Sequence, residues 1–130
     1  MTEKKKDLDV QAQFRLDDSG TPIYRAASDG TKHYEIELYV PNPHDQVSSM
    51  TYILDDSYVD RVRETFDRVT GFREPLTSYG NYTVIASPSG QFPSSDMIRV
   101  RLSDALRSGM ENLGGDRDSI RQALRDIEDH

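Results

Sequence analysis

The chain has 130 residues, 16 Lys and Arg against 23 Asp and Glu, a formal net charge of -7 and no cysteine, which is the size of one domain and rules out disulfides, iron-sulfur ligation and a thiol nucleophile. The three histidines, His33, His44 and His130, fall at spacings that match no ligand motif, so no metal and no other cofactor is expected. The negative balance and interleaved charges disfavour nucleic acid and favour cationic partners such as lysine-rich tails, and the lack of any long apolar run predicts a soluble, cytoplasmic protein without signal or membrane span.

Residues 1–9 are charged and unpatterned and are expected to form a flexible N-terminus. Val10 to Leu16 then alternates apolar and polar residues, the signature of a strand with one buried face. Asp17-Asp18-Ser19-Gly20 supplies a turn, Thr21 to Ala26 a second short run, and Asp29-Gly30 a hairpin dipeptide. Tyr34, Ile36, Leu38 and Val40 alternate against His33, Glu35 and Glu37 until Pro41-Asn42-Pro43 stops the strand. The pattern resumes at Met50, Tyr52 and Leu54, at Phe72 to Thr77, at Tyr82, Val84 and Ala86, and at Ile98, Val100 and Leu102. Seven short strands separated by turns predict an all-β antiparallel sandwich or barrel over residues 10–102.

Between them, Val59, Val62, Phe66 and Val69 fit a helical stripe when taken alone. After Leu102 the period changes for good. Ser103 is placed to cap a helix running to about Leu113, Gly114-Gly115 ends it, and a second helix follows with Ile120, Ala123, Leu124 and Ile127 on one face. Residues 103–130 thus read as a short C-terminal helical extension, whose narrow stripe must dock on the sandwich or on a second copy as a homodimer.

Enzyme readings are poor. Asp17-Asp18 and Asp55-Asp56 are adjacent on extended chain and point oppositely, so neither pair can flank one bond as acid and base. Ser57 lacks the surroundings of a nucleophile elbow. The unusual feature is tyrosine, with two loop clusters, Asp55-Asp56-Ser57-Tyr58 and Ser78-Tyr79-Gly80-Asn81-Tyr82, in which rings sit beside hydroxyls and a glycine. Such loops suit an apolar but directional ligand.

Met50-Thr51-Tyr52-Ile53-Leu54 followed by Asp55-Asp56-Ser57-Tyr58, then Gly71-Phe72-Arg73-Glu74-Pro75-Leu76, then Tyr79-Gly80-Asn81-Tyr82-Thr83-Val84, resembles the YEATS domain, especially its prokaryotic form, over about residues 34–102. The resemblance implies an immunoglobulin-like β-sandwich and a non-enzymatic binding module for a protein or peptide ligand carrying acylated lysine. It further implies that Tyr58 and Tyr82 are slot walls, Tyr79 a stacking platform, Ser57 an orienter of the acyl amide, and backbone N–H groups around Tyr79 and Gly80 donors to its carbonyl, with Asn81 in the same loop. Acylation removes lysine's charge and creates a flat amide that stacks between rings. The family's histidine position is Asp55 here, for which a turn role, holding a loop N–H, is expected. Residues 59–69 should then be partly extended rather than helical. The alternative function is an adaptor subunit of a bacterial stress or defence system that binds through its sheet edge or helical tail.

Overall fold

The computed structural model describes residues 9–43, 45–90 and 97–130; the expectation of a flexible N-terminus falls, apart from Asp9, outside them. Among the described residues there are eight strands and two α-helices: β1 (Gln11–Phe14), β2 (Tyr24–Ala26), β3 (Lys32–Tyr39), β4 (Val47–Ile53), β5 (Val62–Thr65), β6 (Glu74–Ser78), β7 (Thr83–Gly90), β8 (Ile98–Arg101), α1 (Leu102–Met110) and α2 (Arg117–Glu128).

All strand pairs are antiparallel and fall into two sheets. In the first, β3 is central: β1 and β2 share one of its edges end to end, with Phe14 opposite Ile36 and Tyr24 opposite Tyr34, and β6 takes the other edge, with Leu76 opposite Ile36. The second sheet runs β5-β4-β7-β8. The alternation read from the sequence sets which face is inward. Ala12, Phe14, Tyr34, Ile36, Leu38 and Leu76 from the first sheet join Met50, Tyr52, Val84 and Ala86 from the second in one buried cluster. This is a sandwich-like core of two antiparallel sheets.

The β1 to β2 connection is fixed by Asp17, whose Oδ1 accepts from the backbone N–H of Ser19 at 2.9 Å and of Thr21 at 3.0 Å, while Gly20 takes φ +80. Asp29-Gly30 turns β2 into β3, again with a side-chain to backbone bond, Thr31 N–H to Asp29 Oδ1 at 2.9 Å.

Segment 59–69 is where periodicity alone misleads. It holds β5, paired to β4 with Val62 opposite Ile53, and then a 3-10 turn, Arg68–Thr70, closed by Gly71 at φ +79. The segment is partly extended, not helical. The residues of the helical stripe, Val59, Val62, Phe66 and Val69, are all exposed, so the stripe faces no core. Strand pairing and the contact of Arg63, which reaches Glu74 at 3.0 Å and the Pro75 carbonyl at 3.0 Å, hold the segment extended along the sandwich edge.

The helices are not an appendage. Leu102, Ala105, Leu106, Ile120, Ala123, Leu124 and Ile127 belong to the same buried cluster as the strands. The α2 stripe is therefore covered within the chain, and α2 shows solvent a charged face. The α1 helix crosses β1 closely enough that a Cβ at Gly109 would lie 2.0 Å from the Ala12 carbonyl oxygen, a contact only glycine permits. On α2, Asp126 accepts a hydrogen bond from the buried Tyr34 hydroxyl, tying the helix to β3. The first helix starts at Leu102 and ends at Met110, short of Leu113. Ser103 does not cap it as expected: it lies inside the first turn, and its own backbone N–H is the group that is capped.

Candidate functional site

At one end of the sandwich lies a groove of about 350 Å³. Its walls are the β4–β5 loop, the end of β6 with the β6–β7 loop, His33 of β3, and His130 just beyond α2.

The β4–β5 loop is built by Asp55. Its carboxylate accepts from the Ser57 backbone N–H at 3.1 Å, and its carbonyl accepts from the Tyr58 N–H at 3.1 Å. Hydrogen bonding from Ser57, the hydroxyl first and the backbone second, holds the Asp55 carboxyl below the usual carboxylate range. The expected turn role of Asp55 is thus what the geometry shows. Next to it, Asp56 pairs with Arg61 at 2.5 Å across the loop.

This turn delivers Tyr58 to the groove. Its hydroxyl donates to the Thr77 carbonyl at 2.5 Å, and the Tyr82 hydroxyl donates to it at 3.1 Å. The two rings meet edge to face, centroids 5.6 Å apart at 61°. Burial pushes both phenols above their ordinary range, which keeps the pair neutral at any physiological pH. The Arg63 guanidinium sits 6.0 Å from the Tyr58 centroid.

The β6–β7 loop is folded by Ser78. Its buried hydroxyl accepts the Gly80 N–H at 3.2 Å and donates to the Gly80 carbonyl at 2.7 Å, closing a tight turn that throws Tyr79 outward. Tyr79 is 46% exposed and is flanked by His33, 5.1 Å between centroids, and by His130, 6.4 Å away and nearly perpendicular. A Cβ at Gly80 would lie 3.1 Å from His130, so the end of the chain packs closely over this turn. Asn81 faces the helix: its Oδ1 accepts the Ser103 N–H at 3.0 Å, and its Nδ2 donates to the Ser103 Oγ at 2.9 Å.

All six residues singled out from the sequence, Ser57, Tyr58, Tyr79, Gly80, Asn81 and Tyr82, line this one groove. Their chemistry differs from the expectation at three of them. The Gly80 N–H is engaged by Ser78 and is not an open donor for a ligand carbonyl. The Asn81 amide is committed to the first turn of α1. Ser57 is bonded to Asp55. What these six leave toward the groove is aromatic surface, the Tyr58–Tyr82 pair and the Tyr79 ring, and beside it lie the Asp55 carboxylate and the imidazoles of His33 and His130. Sequence reasoning missed His33 and His130, since a single histidine on a polar strand face and a histidine at the end of a helix carry no spacing signal, and it placed Ser78 in the loop cluster without its role in folding the turn.

Among the described residues no group of three or more His, Cys, Asp or Glu side chains is placed to hold a metal ion, and no helix is long and apolar enough to cross a membrane. No protein-family model matches the chain, and no curated protein matches it at a significant level.

Proposed function

We propose that the protein is a non-enzymatic binding module of the YEATS kind, built on an immunoglobulin-like sandwich, whose groove takes the acylated lysine of a protein or peptide partner. The observation that carries this reading is the convergence of Tyr58, Tyr79 and Tyr82, from two separate loops, on one partly open groove. Three neutral rings form a surface that favours a flat, uncharged amide and its apolar tail. The hydroxyl relay adds direction. Because Tyr82 donates to Tyr58 and Tyr58 donates to the Thr77 carbonyl, the Tyr82 oxygen keeps acceptor capacity. In this reading it receives the amide N–H of the acyl-lysine, and the amide carbonyl points toward the groove mouth and its water, since the Gly80 N–H is engaged elsewhere.

The test is a titration of the ¹⁵N-labelled chain with acetyl-lysine, crotonyl-lysine and unmodified lysine peptides. Shift changes at Tyr58, Tyr79 and Tyr82 with the acylated peptides alone are expected. Equal binding of the unmodified peptide, or no shifts with any of the three, would refute the reading.

A further inference from the structure

A second surface, built from different side chains than the groove, lies on the outer edge of the second sheet. Among the described residues β8 is the last strand of that sheet and pairs with β7 alone. The backbone N–H of Leu102 donates to the Tyr82 carbonyl at 2.8 Å, and Tyr82 and Leu102 continue the β7–β8 register, in which Val84 faces Val100 and Ala86 faces Ile98. Antiparallel ladders alternate, so Leu102, Val100 and Ile98 turn their backbone groups toward β7, and Arg99 and Arg101 turn theirs away from it. The Arg101 carbonyl starts α1, and the open edge therefore presents the N–H and C=O of Arg99 and the N–H of Arg101. An edge of this kind is a template for one more strand.

The side chains say which strand it takes. Ile98 and Val100 are half-buried against the core, so β8 is anchored, while Arg99 and Arg101 are both exposed on the outer face. Most of the described arginines are satisfied within the chain: Arg15, Arg61, Arg63, Arg73, Arg107 and Arg121 by carboxylates, Arg68 and Arg117 by carbonyls, Arg125 by Gln122. Among the described residues the side chains of Arg99, Arg101 and the solitary Arg25 have no hydrogen-bond or ion-pair partner. In a chain with net charge -7, acidic partners for arginine are plentiful, and two neighbouring arginines on one strand face without any stand out. They flank an apolar row, since Arg99 lies opposite Ile85, Ile85 opposite Ile53, and Ile53 opposite Val62.

We propose that the open edge of β8 binds an acidic, extended segment of a partner protein, added as a fifth strand with carboxylates on the outer face beside Arg99 and Arg101 and apolar side chains inward beside Ile98 and Val100. Backbone pairing supplies the docking and the arginines the selectivity. A second copy does not fit, because antiparallel self-pairing of β8 sets arginine against arginine. Nucleic acid does not fit either: it has no peptide N–H and C=O groups to continue the ladder at Arg99 and Arg101, and without that docking two arginines are left to act alone against a chain of charge -7.

The test uses the full ¹⁵N-labelled chain and two capped hexapeptides, one alternating valine with glutamate and one alternating valine with lysine, with an oligothymidylate as a polyanion control. The glutamate peptide should shift residues 97–101 and slow exchange of the Arg99 and Arg101 amide protons, leaving the Tyr79 loop unmoved. The double variant Arg99→Glu/Arg101→Glu should lose about tenfold or more in affinity for it and gain the lysine peptide. If charge reversal lowers the melting temperature, Arg99→Gln/Arg101→Gln serves in its place, with the loss alone expected. No binding of the glutamate peptide, equal binding of the lysine peptide by the unaltered chain, stronger binding of the oligothymidylate, or shifts mapped away from β8 would each overturn the proposal. None of these outcomes bears on the groove, whose test has its own ligand and its own residues.

Discussion

Replacing Asn81 by Ala separates a ligand contact from a structural one. The first helical N–H groups of α1 have no partner inside the helix, and the residue at its N-cap, Arg101, makes no side-chain cap. Asn81 supplies the cap from the β6–β7 loop, accepting the Ser103 N–H at 3.0 Å and donating to the Ser103 hydroxyl at 2.9 Å. Ser103 is buried, so Asn81→Ala leaves an unsatisfied N–H where water has little access. Loss of a cap costs about 0.5–2 kcal/mol and an orphaned buried donor about 1–3 kcal/mol. Together these place the destabilisation at about 1–2 kcal/mol, which for a domain of this size lowers the melting temperature by about 3–10 °C. Urea melts followed by tyrosine fluorescence or circular dichroism should show a lower midpoint at unchanged slope. Asn81→Asp retains an acceptor for the Ser103 N–H and adds a negative charge at the helix N-terminus, so it should recover most of the loss near neutral pH. If Asn81→Ala left the midpoint unmoved, or Asn81→Asp were as unstable as the alanine variant, the capping role would be wrong.

Gly109→Ala pushes a methyl group to 2.0 Å from the Ala12 carbonyl oxygen, and because the obstacle is backbone, α1 must lift from β1; a loss of about 1–3 kcal/mol or more is expected in the same melts. Tyr52, fully buried with its hydroxyl donating to the Phe72 carbonyl at 2.9 Å, should cost about 3–5 kcal/mol on truncation to Ala. Tyr79→Ala, at an exposed ring, should cost under about 1 kcal/mol yet abolish binding of acylated peptide; equal large losses at both sites would place Tyr79 in the core. Asp55, held below its ordinary value by Ser57, should titrate by carboxyl NMR below the usual aspartate range. The sign follows from the lowered value: any stability the carboxylate confers is present above the ordinary pKa and fades as pH falls through the lowered one, and Ser57→Ala should raise the midpoint toward the ordinary value.

The strands were legible wherever one face is buried. In β3, Tyr34, Ile36 and Leu38 are buried in strict alternation, and the same holds for Met50 and Tyr52 in β4 and for Val84 and Ala86 in β7. β5 was not legible, because an edge strand packs little: Val62 and Glu64 face solvent, so its apolar residues carry no record of a buried side. Helix bounds slipped for a related reason. The group that caps α1 is Asn81, more than twenty residues earlier in the chain, and no local pattern near Ser103 reports it. In the groove, the tyrosines gave the place, but their hydroxyl partners and the two histidines beside Tyr79 are set by tertiary packing.

The hydrogen bonds of the two loops narrow what the groove can recognise. In a loop-built site the first question is which donors and acceptors remain once the loops have folded. Ser78 satisfies both backbone groups of Gly80, Asp55 holds Ser57, Asn81 serves α1, and Tyr58 is fixed by Thr77. These bonds define the loop shape, and each removes a polar group from the ligand's reach. A ligand that needed the loop groups of Ser57, Gly80 or Asn81 would find them already taken and would have to break the turns that make the groove. A ligand that offers one flat amide and apolar length asks for ring surface and a single acceptor, which Tyr58, Tyr79 and Tyr82 supply without disturbing either loop. Selectivity for the amide in such a groove must come from desolvation, and it must outweigh the pull of the Asp55 carboxylate and the ring faces on a cation: a charged ammonium loses its hydration on entering among the rings, and an amide loses far less. The binding difference between acylated and unmodified lysine should therefore persist or widen at high salt, because salt screens the pull of Asp55 on the ammonium and leaves the desolvation cost in place, whereas binding at the β8 edge should weaken there.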